Sequence, residues 1–143
     1  MSTVAISSIL GSAFCKYGLK PVRPLIYIVD DDEDVRESLT LVLEMRGYSV
    51  ESFRDGAELM TRGDFGLCRC MILDVHLPGE SGIEILSRLR FGEIPLPVIL
   101  TSGQGSQDIR RKARQLNAVA FFDKPIQGKL LLEAIAEVVL PVG

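Results

Sequence analysis

The chain has 143 residues, 47% of them hydrophobic and 24% charged, with a formal net charge of −3. That length suits one ordinary domain with a single good core, and the acidic balance argues against nucleic-acid binding by this chain, since such domains carry a basic face. Three cysteines, Cys15, Cys68 and Cys70, form no C-x-x-C pair, and the lone histidine, His76, is distant from them, so zinc sites and disulfide scaffolds are disfavoured and reduced thiols in a cytoplasmic protein are expected.

In chain order, residues 1–24 differ from the rest of the chain: they contain no acidic residue and are rich in Ser, Gly and Ala. Ala5, Ile6, Ile9, Leu10, Ala13, Phe14 and Tyr17 fall on one helical stripe, which Gly18 and Pro21 would end. The expectation is a marginal N-terminal extension, with a docking helix as the alternative. No basic residue precedes Lys16, so the charged start of a signal peptide is missing, and no apolar run reaches the length of a membrane span.

From Leu25 the pattern becomes regular. "LIYIV" (25–29) reads as a strand, and "DEDVRESLTLVLEMRG" as an amphipathic helix with Val35, Leu39, Val42 and Leu43 on one face and Gly47 as its stop. "YSVESF" (48–53) reads as a strand, "DGAELMTRG" (55–63) as a short helix and "CMILD" (70–74) as the third strand. Next is a helix over 81–90, with Ile83, Leu86 and Leu89 inward. Then come a strand over 97–102, a charged helix over 106–118, a strand over 119–122 and a closing helix over 126–140. Strands that are mostly continuous apolar runs, alternating with helices, predict an α/β fold: a doubly wound five-stranded parallel sheet with helices on both faces.

In such a sheet, ligands bind outside the carboxyl ends of the strands. There the sequence places Asp30 and Asp31 after the first strand, Asp74 at the end of the third, Thr101 and Ser102 at the end of the fourth, and Asp123, Lys124 and Pro125 past the fifth. Clustered carboxylates cannot all stay ionised without a cation. Hard oxygen ligands suit Mg²⁺, which fills its coordination with water and phosphate oxygens, and a lysine supplies a compact positive charge for an anion. The set makes a place for a phosphoryl group attached to a carboxylate, with Asp74 the nucleophile.

"IYIVDDDEDVRESL", "MILDVHLPGESGIEIL", "PVILTSGQGS" and "FFDKPI" together resemble the receiver domain of two-component response regulators, over about residues 25 to 140. The first and third of these runs are similar to the subgroup that often carries a helix-turn-helix output domain, which these residues do not include. The resemblance implies a flavodoxin-like sheet of strand order 2-1-3-4-5, with residues 25–143 as the receiver domain and 1–24 as an extension. It implies Asp74 as phosphoacceptor; Asp31 and Asp74 as direct ligands of Mg²⁺, Asp30 holding the metal's waters and the backbone carbonyl of His76 completing the set; and Ser102 and Lys124 as the hydroxyl and amine that meet the phosphoryl group. It implies a cis bond before Pro125, with Phe121 as switch aromatic, lacking the tyrosine hydroxyl of other members.

A partner phosphohistidine, on a sensor histidine kinase or a phosphotransfer protein, is the expected donor. A downstream protein or an output domain is the expected reader, and homodimerisation on phosphorylation a further expectation. No turnover enzyme, membrane contact or nucleic-acid contact by this chain is expected. The rivals are an aspartyl-phosphate phosphatase, disfavoured because His76 stands where a D-x-D motif needs its second aspartate, and a phosphate-independent binding module of the same fold. Several features have simpler readings. Asp32, Glu33 and Asp34 read as a solvated helix start, with a capping-box-like pattern from Asp34 to Glu37. The His76 ring reads as loop surface and Cys68 and Cys70 as small hydrophobes. Arg110, Arg111, Lys112 and Arg114 read as a solvated helix face.

Overall fold

The computed structural model describes residues 23–139. The helical stripe of residues 5–17, and Cys15 with it, lie outside the described residues. The elements are β1 (Leu25–Val29), α1 (Glu33–Met45), β2 (Ser49–Phe53), α2 (Gly56–Arg62), β3 (Cys68–Asp74), α3 (Gly82–Phe91), β4 (Val98–Ser102), α4 (Gln107–Gln115), β5 (Ala120–Asp123) and α5 (Gly128–Val138). The five strands form one parallel sheet in the order β2-β1-β3-β4-β5. Among the described residues, no helix is long and apolar enough to cross a membrane.

Alternation along the strands divides the core in two. Tyr27, Val29, Met71, Leu73, Val98 and Leu100 face one side and pack with Leu59 of α2, Ile85, Leu86 and Leu89 of α3, and Ala113 of α4. Ile26, Ile28, Cys70, Ile72 and Ile99 face the other and meet Leu39 and Leu43 of α1 and Leu131 and Ile135 of α5. Each buried leucine contributes about 2 kcal/mol of transfer free energy. Both thiols are buried, which pushes Cys68 up to about 11 and Cys70 up to about 12, so neither is a thiolate at neutral pH.

Three local expectations shift. β3 begins at Cys68, two residues before the predicted start: Cys68 pairs with Leu25 and Cys70 with Ile26, so exposed Arg69 breaks the apolar run and sits where the register of the ladder shifts. α3 buries Ile85 completely while Ile83 is half-buried, so the inward face lies one step round from the predicted stripe. The cap of α1 is Asp32, whose carboxylate accepts from Asp34 N at 2.9 Å and Val35 N at 3.4 Å. Asp34 is therefore inside the first turn and its predicted capping-box pattern is not used. Gly47 ends α1 as expected, with φ at +91°, a conformation that costs glycine nothing.

Candidate functional site

The sheet brings β1, β3, β4 and β5 to one rim, and parallel pairing sets Asp74 beside Thr101 and Ser102 beside Asp123. Carboxylate oxygens of Asp30, Asp31 and Asp74 all lie within 4.8 Å of one another. Asp30 and Asp74 are buried and Asp31 is exposed. Lys124 reaches in from beyond β5: its Nζ donates to Asp30 Oδ2 at 2.8 Å and to Asp74 Oδ2 at 3.2 Å. The Lys124–Pro125 bond is cis, as expected.

Asp30 is braced on three sides. Its Oδ1 accepts from Asp32 N at 2.9 Å, its Oδ2 from Lys124, and its backbone carbonyl from Arg36 Nη1 at 2.7 Å. Asp74 Oδ1 accepts from the His76 backbone N–H at 3.1 Å. Burial raises the Asp74 carboxyl above the usual range, and the neighbouring Asp30 charge adds to it; the His76 N–H and Lys124 pull the other way without cancelling the rise. Burial works against the Lys124 charge too, but the Asp30 and Asp74 carboxylates more than offset it and raise the ammonium. One cation for three carboxylates leaves negative charge in excess. An all-oxygen set of this hardness fits a Mg²⁺ ion, with room in its coordination for water and a phosphate oxygen.

Ser102 is fully buried, and its hydroxyl is engaged by the His76 ring (Nε2 to Oγ, 2.9 Å) and by Gln104 N (3.0 Å) rather than by Asp74. Thr101 is also buried. The expectation that the His76 ring is plain loop surface is therefore incomplete: the residue is exposed, yet its ring seats on Ser102. Phe121 is half-buried with Arg110 stacked over it, the guanidinium carbon 4.5 Å from the ring centroid, and Arg110 also pairs with Asp123. Arg110 thus leaves the solvated face to which the sequence assigned it, while Arg111 and Lys112 stay exposed and pair with Asp108.

Two contributors escaped the sequence reading. Arg36 pins the Asp30 backbone, a role only the helix turn after β1 reveals. Gly82 opens α3 against the end of β3: its N–H donates to Val75 O at 2.9 Å, and a Cβ there would stand 2.2 Å from the Asp74 carbonyl oxygen. Its signal was the glycine immediately after a helix-capping serine, Ser81, in "PGESG".

Comparison with known proteins agrees with this geometry. The response regulator receiver domain family matches residues 26–136. The response regulator protein TodT of Pseudomonas putida is 36% identical over 124 residues, covering 85% of this chain and 55% of TodT. The transcriptional regulatory protein FixJ of Bradyrhizobium diazoefficiens is 33% identical over 110 residues, 77% of this chain and 54% of FixJ. The chain thus spans about half the length of these curated relatives. Among solved structures, the response regulator StyR superposes with a TM-score of 0.76 at 30% identity, over 82% of this chain and 60% of StyR. A CheY-like receiver domain protein from Methanospirillum hungatei gives 0.75 at 28% identity, over 81% of this chain and 93% of its own. The family match over residues 26–136 and the sheet order agree, and the chain belongs to the response regulator receiver domain family.

Proposed function

We propose that this chain is a phosphorylation switch whose acceptor is Asp74. The observation that carries the reading is Lys124 Nζ held between Asp30 and Asp74 at the carboxyl rim of the sheet. A carboxylate at a strand tip, next to a cation and surplus acid, is built to carry an anionic group. The donor is a phosphohistidine on a sensor histidine kinase or phosphotransfer protein. An Asp74 carboxylate oxygen attacks phosphorus in line, the P–N bond breaks as the P–O bond forms, and the product is an acyl phosphate. Lys124 meets the new phosphoryl oxygens. Asp31 and Asp74 would hold Mg²⁺ directly, Asp30 through water, with the His76 backbone carbonyl completing the set; the ion, when bound, neutralises charge between carboxylates and phosphoryl group.

Residues 25–143 form the receiver and residues 1–24 an extension. Phosphorylation draws the Ser102 hydroxyl toward the phosphoryl group and lets Phe121 turn into the space behind it. The surface of α4, β5 and α5 then changes its affinity for a downstream protein, an output domain or a second copy of this chain. A full reversal of populations from 1:99 to 99:1 requires about 5.5 kcal/mol of differential stabilisation. The chain acts as a switch and not as a turnover catalyst, because His76 stands where an aspartyl-phosphate phosphatase needs its second aspartate.

Intact-mass spectrometry after incubation with acetyl phosphate and Mg²⁺ tests the reading. The expected result is a gain of one hydroxylamine-labile phosphoryl group, absent in Asp74→Asn. Phosphate on another aspartate in that variant, or sustained turnover of a phosphomonoester, would overturn it.

A further inference from the structure

The Ser102 hydroxyl has a partner that phosphoryl transfer does not use. His76 Nε2 lies 2.9 Å from Ser102 Oγ, and the Gln104 amide donates to the same oxygen at 3.0 Å. Ser102 Oγ accepts from the Gln104 amide and, according to the imidazole tautomer, either donates to Nε2 or accepts from Nε2–H; both tautomers hold the hydroxyl on the ring. Ser102 is fully buried and His76 exposed, so the ring caps a buried hydroxyl from the solvent side. The backbone N–H of the same residue donates to Asp74 Oδ1 at 3.1 Å. One residue thus ties the acceptor carboxylate through its backbone and the switch hydroxyl through its ring.

We propose that His76 is a positioning residue: its ring holds the Ser102 hydroxyl in the resting orientation and must release it before Ser102 can donate to an anionic oxygen on Asp74. The inference rests on the receiver reading of the site. The ring–hydroxyl bond exists only in the resting state. It therefore biases the equilibrium toward rest by the worth of one hydrogen bond, about fivefold. A ring that merely rests on the surface would bias nothing. Among the described residues, this is the contact that distinguishes the two readings of His76, because its backbone N–H donation is available to every residue type except proline.

Two measurements on the whole chain test the proposal. In the unmodified protein, three-bond couplings of the Ser102 side chain should report one rotamer in the wild type and averaging in His76→Ala, with His76→Gln, which can still hydrogen-bond, closer to the wild type. In calorimetric titration with beryllofluoride and Mg²⁺, His76→Ala should bind about fivefold more tightly, and that gain should vanish on a Ser102→Ala background. A single Ser102 rotamer in His76→Ala, or an equal gain with Ser102 removed, would overturn the latch. A wild-type protein that takes up neither beryllofluoride nor phosphoryl group would overturn the receiver reading instead, and the Ser102 rotamers would still decide whether His76 holds the hydroxyl.

Discussion

Lys124 Nζ lies 3.2 Å from Asp74 Oδ2, although 50 residues separate them in the chain and β4 lies between their strands. The lysine side chain is one-quarter exposed, whereas the carboxylates it meets on Asp30 and Asp74 are almost fully buried. Truncation would leave two buried carboxylates facing each other without a cation. Lys124→Ala should therefore lower unfolding free energy by about 2 kcal/mol in urea titrations without metal, less than a fully buried pair would lose. Mg²⁺ should restore part of that loss. The lysine's raised value also fixes a sign: its contribution is fully present below the ordinary value of 10.5 and is lost as pH rises through the higher value in the fold. Alkaline unfolding should accordingly be shallower in Lys124→Ala than in the wild type.

Asp74 has the opposite linkage to an ordinary salt-bridged acid. Burial and Asp30 raise its folded value above 3.8, so its contribution is fully present below that ordinary value and lost as pH rises through the folded one. Without metal, Asp74→Asn should be more stable than the wild type at neutral pH, by a few degrees in melting temperature. The difference should shrink as pH falls toward 3.8 and the wild-type carboxyl takes up its proton. Mg²⁺ at about one hundred times its dissociation constant would add about 2.7 kcal/mol to the wild type, and much less to the variant. Scanning calorimetry across pH, with and without the ion, would read both effects. An Asp74→Asn variant less stable at neutral pH would refute the assignment of burial as the dominant influence.

Gly82→Ala should damage the site through the backbone alone. The added Cβ would stand 2.2 Å from the Asp74 carbonyl oxygen and 2.9 Å from Val75 Cα, and neither can swing aside. Either α3 backs away from β3 or Asp74 moves. A loss of about 2–3 kcal/mol and weaker Mg²⁺ binding are expected together. Gly128→Ala, at the start of α5 with open space around its Cβ position, is the control and should be close to neutral.

How much was legible in the sequence depends on the range of the physics involved. Continuous apolar runs mark strands buried on both faces, so every element appeared in order, and the parallel-sheet rule then carried Asp30, Asp31, Asp74, Ser102 and Lys124 to one rim. Edges were harder. Arg69 hid the start of β3 because an exposed charge at a shift in register breaks the apolar pattern, while Cys68 before it still pairs with Leu25. Long-range polar contacts were invisible: the His76 ring meets a hydroxyl 26 residues away, and Arg110 meets Asp123 and Phe121 on a different element. Neither composition nor periodicity encodes which of several arginines on a charged helix turns inward.

Arg90 shows the same blindness on the opposite rim. Its guanidinium donates to the carbonyls of Leu116 at 2.8 Å and of Ile94 and Leu96 at 2.9 Å, gathering the chain before β4 and the turn after α4. Partial burial lowers its value. Arg90→Ala should cost about 2 kcal/mol by orphaning those carbonyls, and Arg90→Lys should recover less than half, since one ammonium cannot span the fork. Hydrogen exchange at Val119, whose N–H donates to Val98 O, should rise in both variants.

Arg110 clamps Phe121 from above while pairing with Asp123 at the end of the same strand. Both contacts are partly exposed, so together they are worth about 1 kcal/mol. That is small against global stability but large against a rotamer preference, where it shifts populations about fivefold. In Arg110→Ala the Phe121 ring should lose its fixed position, seen as averaged chemical shifts and faster ring exchange in the unmodified protein, with the melting temperature changed by only a few degrees. Arg110→Lys keeps the charge but not the flat stacking surface, and should fall between the two. A Phe121 ring that stays locked in Arg110→Ala would mean that its position is set by the core residues beneath it, and that the arginine above it is only a passenger on the surface.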